Sequence, residues 1–195
     1  MKIIGLTGPT GSGKSTVSKI AENLGFAVID CDKVAREVSN KKEIIEKLVI
    51  AFGEDVVKNN KLDRKALAKV AFSSNQNTEL LNSIMLPKIS SEIEEIISGF
   101  GSNECILLDA PTLYESGIDK KCDAVIAVLA DEDIRRMRII SRDNLTAEQA
   151  DIRLSAAKED NFYKEKTEHI LYNNGAKEEF FTNAEKILKS FFLAK

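Results

Sequence analysis

A glycine-rich stretch near the first residue has the composition of a phosphate-binding loop. Residues 8–15 read Gly-Pro-Thr-Gly-Ser-Gly-Lys-Ser and match the P-loop pattern G-x-x-x-x-G-K-[ST]. Glycines allow backbone N–H groups to point at phosphate oxygens, and the N-terminus of a following helix adds positive charge. Lys14 would contact the β- and γ-phosphates, and the Ser15 hydroxyl is a candidate Mg²⁺ ligand. The stretch therefore predicts a site for a nucleoside triphosphate.

Three aspartates follow or end predicted strands and are candidates for chemistry at that site. Asp30 and Asp32 come at the end of one apolar run, and Asp109 ends another. Ligands of open parallel sheets bind at the carboxyl ends of the strands, where the glycine-rich loop also lies. Asp32 is the main candidate for a general base or a ligand of a magnesium-bound water, and Asp30 is the second. Asp109 resembles the magnesium-side aspartate of many P-loop proteins. Alternatively, Asp32 caps a helix at 33–39 and Asp109 is a turn residue.

Arginines are concentrated in the segment DIRRMRIISRD, residues 133–143. Arg135, Arg138 and Arg142 are spaced i, i+3 and i+7, which places them on one helical face, whereas Arg136 points elsewhere. Arginine makes bidentate contacts with phosphate, so we expect Arg138 and Arg142 to hold a transferring phosphoryl group from a lid. A solvated basic face is the alternative interpretation.

Adenine is the expected base of the bound nucleotide. The chain has no Asp-x-x-Gly, and its only guanine-type pattern, NKLD at 60–63, lies too early and is better explained as a turn in which Asp63 caps a helix. Asn173 or Asn174, in NNGA, could read adenine after the last predicted strand, although turn chemistry alone also explains an Asn-Gly pair.

Five short apolar runs predict the strands that must position these residues. Separated by helical patterns, they indicate a parallel sheet buried on both faces. They lie at residues 2–7, 26–30, 104–110, 123–130 and 169–174.

Helical patterns fill the intervening chain. The first predicted helix spans 15–24 and ends at Gly25. Residues 33–99 show no strand signal and are predicted to form an inserted helical subdomain, with one helix ending before Pro87 and another beginning after it. A second insertion at 140–165 contains TAEQ, a capping-box pattern, and the last helix is predicted at 177–193.

Composition narrows the class of protein. A net charge of −3 argues against a nucleic-acid binder, and no apolar run reaches the roughly 18 residues needed to cross a bilayer. Cys31, Cys105 and Cys122 are widely separated, which disfavours a disulfide framework and fits the cytoplasm. The single histidine, His169, is expected at a strand edge rather than in catalysis, and the cysteines are expected in the core.

Taken together, these segments resemble the dephospho-CoA kinase family, the P-loop enzymes of the last step of coenzyme A synthesis. The resemblance extends over nearly the whole chain, and VIDCDKVAR followed by LDRKAL is more specific than the P-loop. The matching stretches are GLTGPTGSGKSTV, LGFAVIDCDKVAREV, FGEDVV, KLDRKALAKVAF, PTLYESGIDKKCDAVIAV, RRMRIISRDNLTAEQADIRL and ILYNNGA.

The resemblance implies a P-loop NTPase fold with a five-stranded parallel sheet, a helical substrate domain and a helical lid. The nucleotide-binding core would comprise 1–32, 100–139 and 166–195, the substrate domain 33–99 and the lid 140–165. The substrates would be ATP, bound with Mg²⁺, and dephospho-CoA, and no nucleic acid or membrane partner is expected. A monomer is expected.

The same resemblance implies roles for single residues. Asp32 becomes the group that binds and deprotonates the attacking hydroxyl, Arg64 a substrate contact, and Arg138 and Arg142 the lid arginines that act with Lys14. The residues expected to hold ATP are Gly8, Gly11, Ser12, Gly13, Lys14, Ser15, Thr16 and Asn174.

Several positions depart from the family pattern. Gly-Ile is usual where this chain has Pro9-Thr10, Pro-Leu-Leu where it has PTL at 111–113, histidine where it has Leu86, and glutamine where it has Lys158. The Leu86 change bears on a substrate contact. Two alternatives stay open: a P-loop kinase for another small hydroxyl-bearing metabolite, and a nucleotide-dependent switch, which the missing Asp-x-x-Gly disfavours.

Overall fold

The structure is a computed structural model that describes residues 1–59, 61–102 and 104–193. Asn60 of the NKLD pattern, and Asn103 and residues 194–195 of the predicted core, therefore lie outside the described residues. The chain forms two compact units, one made of Met1–Asp30 with Gly101–Lys195 and the other of Cys31–Phe100. The finer division, with a separate lid at 140–165, stays a prediction.

A five-stranded parallel sheet forms the centre of the first unit, with the strand order β2-β5-β1-β6-β7. All five predicted strands are present, each within two residues of its expected bounds. They are β1 Lys2–Thr7, β2 Ala27–Asp30, β5 Cys105–Asp109, β6 Ala124–Leu129 and β7 His169–Tyr172. Because β7 is an edge strand, His169 lies at the edge of the sheet as expected.

Among the described residues, five α-helices belong to the same unit as this sheet. Leu6, Leu107 and Val128 pack with apolar side chains of the first and last helices, which buries one face of the central strands. On β6, Ala127 and Leu129 pack instead against Tyr163. The helices are α1 Lys14–Asn23, α6 Glu132–Asp143, α7 Ala147–Ser155, α8 Asp160–Lys166 and α9 Lys177–Leu193.

Local signals set several of these helix ends. Thr146 and Gln149 form the predicted capping box at the start of α7, with the Thr146 hydroxyl accepting from the Gln149 N–H and the Gln149 side chain accepting from the Thr146 N–H. After α1, Gly25 adopts a φ of +90° that ends the helix, as its position predicted.

In the part of the second unit that the structure describes, there are four α-helices and a short hairpin. Asp63 caps the third of them as predicted, because its carboxylate accepts hydrogen bonds from the Lys65 and Ala66 N–H groups. The helices are α2 Cys31–Ser39, α3 Lys42–Phe52, α4 Arg64–Ala71 and α5 Asn75–Ser98.

Three expectations for this unit are wrong, two of them in its first half. Strands β3 Val57–Lys58 and β4 Lys61–Leu62 pair in an antiparallel hairpin where no strand was expected. Two residues per strand are too few to show the alternation that reveals a strand in sequence. Asp32 also does not precede its helix, because α2 begins at Cys31 and Asp32 lies in the first turn, where a carboxylate interacts favourably with the helix dipole.

Helix α5 is continuous through Pro87, which contradicts the prediction of two helices divided there. A proline removes one backbone hydrogen bond, here to the Ser83 carbonyl, but it does not prevent packing on either side. Ile89, Ile93 and Ile97 are buried, and α5 packs against α2, α3 and α4. Tertiary packing thus maintains the helix across the proline.

None of the helices in the described ranges combines the length and apolarity needed to cross a bilayer.

Candidate active site

The loop between β1 and α1 has a backbone that only glycine can adopt at two key positions. Gly8 has a φ of +137°, and a Cβ there would lie 2.2 Å from the carbonyl oxygen of Val128. Gly13 has a φ of +107°, and a Cβ there would lie 2.2 Å from the side-chain nitrogen of Asn173. The glycines of the predicted P-loop are therefore required by backbone conformation and by close approach to β6 and the end of β7.

Lys14 places its positive charge on this loop. It is the first residue of α1, and its Nζ donates hydrogen bonds to the carbonyl oxygens of Gly8 at 2.6 Å and Pro9 at 3.3 Å. The Ser15 side chain is exposed in the first turn, and the Thr16 N–H donates to the Gly13 carbonyl at 3.0 Å. A flexible ammonium beside a helix N-terminus can exchange loop carbonyls for phosphate oxygens.

Two of the predicted aspartates lie side by side at the carboxyl edge of the sheet. Asp30 at the end of β2 pairs in register with Asp109 at the end of β5, the neighbour of β1. The Asp109 carboxylate accepts a hydrogen bond of 2.7 Å from the Ser18 hydroxyl of α1. Asp109 is thus held beside the helix that begins with Lys14, while its role toward magnesium stays a prediction.

Sequence reasoning missed Ser18. It lies one helical turn after Lys14, and its hydroxyl also lies 3.2 Å from the Lys14 carbonyl. Since its partner Asp109 is 91 residues away in sequence, no local pattern indicates this contact.

Arg138 and Arg142 leave α6 in different directions. Arg138 lies against the glycine-rich loop, with Nη1 3.4 Å from the carbonyl oxygens of Gly11 and Ser12, and burial lowers its pKa. Arg142 instead makes two hydrogen bonds to the Asp143 carboxylate, of 2.8 and 2.9 Å. These bonds, together with Arg153, lower the pKa of Asp143 to about 2. The structure therefore brings Arg138, but not Arg142, to the loop.

Neighbouring arginines on α6 have structural partners. Arg135 is buried and donates from Nε to the Ala130 carbonyl at 2.9 Å, and Arg136 pairs with Asp151. Arg136 thus points away from the loop, as its spacing predicted.

The two asparagines after β7 also differ. The Asn174 amide bonds to Asp131, accepting from its N–H at 2.8 Å and donating to its carboxylate at 2.7 Å. Asn173 is buried, and its Nδ2 donates to the Ser12 carbonyl at 2.8 Å. A contact of Asn174 with adenine stays a prediction.

Asp32 and Arg64 lie in the second unit. The Asp32 side chain is exposed. The Arg64 guanidinium donates to the carbonyl oxygen of Arg36 at 3.1 Å and to the side chains of Ser39 and Asn40 at 3.2 Å each. Arg64 thus interacts with the C-terminal end of α2, where a cation is favourable. The roles of both residues toward substrate stay predictions.

The side-chain oxygens near the loop are ligands of the type that Mg²⁺ prefers. The Ser15 hydroxyl and the Asp109 carboxylate are hard oxygen ligands, and Mg²⁺ usually takes only one or two protein ligands, with waters and substrate phosphates completing its shell. Among the described residues no cluster of three or more His, Cys, Asp or Glu side chains could hold a metal by itself. A metal that arrives with a nucleotide is consistent with this set.

Comparisons with known proteins agree with this architecture. A family model described as dephospho-CoA kinase matches residues 2–179. Dephospho-CoA kinase from Fusobacterium nucleatum is 36% identical over 189 residues, covering 96% of this chain and 97% of that protein. A solved dephospho-CoA kinase from Campylobacter jejuni is 27% identical, with a TM-score of 0.73 and coverage of 99% of this chain and 98% of that one. A crystal structure from Thermus thermophilus is 29% identical, with a TM-score of 0.87 and coverage of 97% of both chains. Since the family model spans most of its residues, the chain belongs to the dephospho-CoA kinase family.

Proposed function

We propose that this chain transfers the γ-phosphoryl group of ATP to the ribose 3′-hydroxyl of dephospho-CoA, giving CoA and ADP. The observation that carries the proposal is the glycine-rich loop with Lys14 at its end, next to Asp109 at the carboxyl edge of a parallel sheet. Membership of the dephospho-CoA kinase family supports the acceptor.

In this proposal the loop residues bind the triphosphate. Residues 8–16 supply backbone N–H groups, and Lys14 exchanges its loop carbonyls for oxygens of the β- and γ-phosphates. Ser15 and Asp109 would hold Mg²⁺, which when bound supplies positive charge to the phosphate oxygens. Asn174 would contact the nucleotide beyond the phosphates.

Asp32 is proposed as the base. Its carboxylate orients the 3′-hydroxyl and takes its proton while the oxygen forms a bond to the γ-phosphorus. The bond from that phosphorus to the bridging oxygen breaks, and ADP leaves with the electron pair. Arg138 and Arg142 would stabilise the charge on the transferring group, which requires Arg142 to exchange Asp143 for phosphoryl oxygens.

Residues 33–99, with Arg64, are proposed to bind dephospho-CoA, and residues 140–165 to close over the site and exclude water. Two departures from the family pattern lie in these segments. Leu86 is half-buried in α5, and Lys158 is exposed with its Nζ 5.5 Å from the centre of the Phe162 ring. Neither changes the phosphate loop. A monomeric state and a cytoplasmic location are proposed with this function.

The test is ADP formation by the purified protein with Mg²⁺ and ATP, with and without dephospho-CoA, followed by the mass of the product. We expect ADP only with the acceptor, and a product heavier by one phosphoryl group. CoA is the matched control, because its 3′-hydroxyl is already phosphorylated. Equal ADP formation with and without dephospho-CoA would contradict the proposal. If a panel of acceptors showed activity only with another hydroxyl compound, that compound would be the substrate in place of dephospho-CoA.

A further inference from the structure

Asn173, the first residue after β7, links the edge of the sheet to the glycine-rich loop. The residue is buried, with 8% exposure, and its backbone N–H donates to the Leu129 carbonyl of β6 at 2.8 Å. Its Nδ2 donates to the carbonyl oxygen of Ser12 at 2.8 Å, across 161 residues of sequence. Buried polar groups need hydrogen-bond partners, and the Asn173 amide obtains its partner from a residue far away in sequence.

Arg138 completes this arrangement. Its Nη2 donates to the Asn173 carbonyl at 3.0 Å and to the Asn173 Oδ1 at 3.2 Å, while Nη1 reaches the carbonyl oxygens of Gly11 and Ser12 at 3.4 Å. Asn173 and Arg138 together form a loop brace, a pair of side chains that holds the glycine-rich loop. The amide suits this place because it donates to a carbonyl from one atom and accepts from a guanidinium with the other.

The loop brace fixes the direction of one peptide N–H. In a trans peptide the carbonyl and the N–H point in opposite directions. Holding the Ser12 carbonyl toward Asn173 therefore turns the Gly13 N–H away from the loop brace. The 2.2 Å separation between Nδ2 and the position of a Gly13 Cβ shows how closely the amide approaches this peptide.

We propose that Asn173 is a positioning residue for phosphate binding, because its side chain holds the Ser12–Gly13 peptide with the N–H directed at the nucleotide phosphates. This deepens the proposed function and rests on it for the use of ATP. Asn173 acts through the loop and touches no substrate in this role.

The first variants are Asn173→Ala, which removes both side-chain bonds, and Asn173→Asp, which keeps the size and the acceptor for Arg138 but places an oxygen against the Ser12 carbonyl. We expect each to weaken ATP binding and raise the KM for ATP about 10-fold, because one such hydrogen bond contributes about that factor. The KM for dephospho-CoA should stay nearly unchanged, because that substrate is proposed to bind residues 33–99 and Asn173 lies in the other unit.

Thr167→Val is the matched control. Thr167 is buried just before β7, and its hydroxyl bonds to that of Tyr114, so the variant loses a partly buried side-chain hydrogen bond at the other end of the same strand. The Kd and KM for ATP should be unchanged in it. Two results would overturn the proposal and leave Asn173 a merely structural role. One is an equal rise of the KM for ATP and the KM for dephospho-CoA in the Asn173 variants. The other is a rise of the KM for ATP in Thr167→Val as large as that in the Asn173 variants.

Direct titration with ATP separates the two proposals. If the wild-type protein binds ATP but phosphorylates no dephospho-CoA, the proposed function fails while the Kd values of the variants still judge Asn173. Should Asn173→Ala fail to fold, Asn173→Asp is measured alone. Unchanged ATP affinity in a folded Asn173→Asp would overturn the positioning role.

Discussion

Asp32 is the residue whose replacement tests the proposed chemistry most directly. Asparagine has the same size as aspartate but cannot take a proton, so Asp32→Asn should lower kcat by about 100- to 10,000-fold. Binding of ATP should be retained, because the phosphate loop is unchanged. The measurement is steady-state turnover together with the Kd for ATP.

Glu37→Gln is the control for Asp32→Asn. Glu37 is exposed on the same helix α2, and its neutralisation should leave turnover intact. Turnover near the wild-type level in Asp32→Asn would show that Asp32 is not the base.

Gly8 gives a residue-scale prediction about stability. Gly8→Ala should destabilise the protein by about 2–6 kcal/mol, because backbone strain and displacement of a packed neighbour each cost about 1–3 kcal/mol. The neighbour is the Val128 carbonyl of β6, which would lie 2.2 Å from the new Cβ. Urea unfolding measures the difference.

Gly25→Ala isolates the strain component. Gly25 also has a positive φ, of +90°, but nothing lies within 4 Å of a Cβ there. Gly25→Ala should lower the free energy of unfolding by only about 1–2 kcal/mol, which is the cost of a left-handed backbone conformation for alanine. Equal losses in Gly8→Ala and Gly25→Ala would mean that β6 moves away at no cost.

At the scale of elements, α5 shows a helix that continues through a proline. Pro87→Ala restores an N–H that can donate to the Ser83 carbonyl, so it should raise the free energy of unfolding by about 1–3 kcal/mol. Pro87 is exposed, which makes loss of side-chain packing a minor effect. The urea concentration at the midpoint of unfolding and the helical circular dichroism signal should both increase.

Asn82→Ala controls for helix propensity in the same helix. Asn82 is exposed, and alanine there should add at most about 0.7 kcal/mol. A gain in Pro87→Ala no larger than this would indicate that α5 has already compensated for the missing hydrogen bond.

At the scale of the whole molecule, binding of ATP should stabilise the folded protein. At 100 times its Kd, with Mg²⁺ present, ATP should add about 2.7 kcal/mol to the free energy of unfolding of the part that binds it. Lys14→Met should abolish most of this gain, since the ammonium that contacts the loop is lost. Calorimetric scans with and without ATP measure the shift, and an undiminished shift in Lys14→Met would place the nucleotide elsewhere.

Because the chain forms two compact units, the same scans can show which unit binds ATP. The loop belongs to the unit of Met1–Asp30 with Gly101–Lys195, and four helices with a hairpin form the other. If scans show two transitions, only the one that reports the parallel sheet should move with ATP. A shift confined to the helical unit would contradict the site.

The sequence by itself determined the features that depend on neighbouring residues. The P-loop spacing, strand β1, helix α9, the Asp63 cap and the Thr146–Gln149 capping box all arise from interactions within a few positions, which spacing and residue type reveal directly. The parallel sheet followed from apolar runs long enough to predict burial on both faces.

Only the tertiary structure decided the rest. Continuity of α5 across Pro87 depends on packing against three other helices. The Ser18–Asp109 bond and the contact of Asn173 with Ser12 join residues 91 and 161 positions apart. The sequence also grouped Arg138 with Arg142 by helical spacing, whereas their partners separate them. Such contacts are set by which strands and helices become neighbours on folding, and no local pattern carries that information.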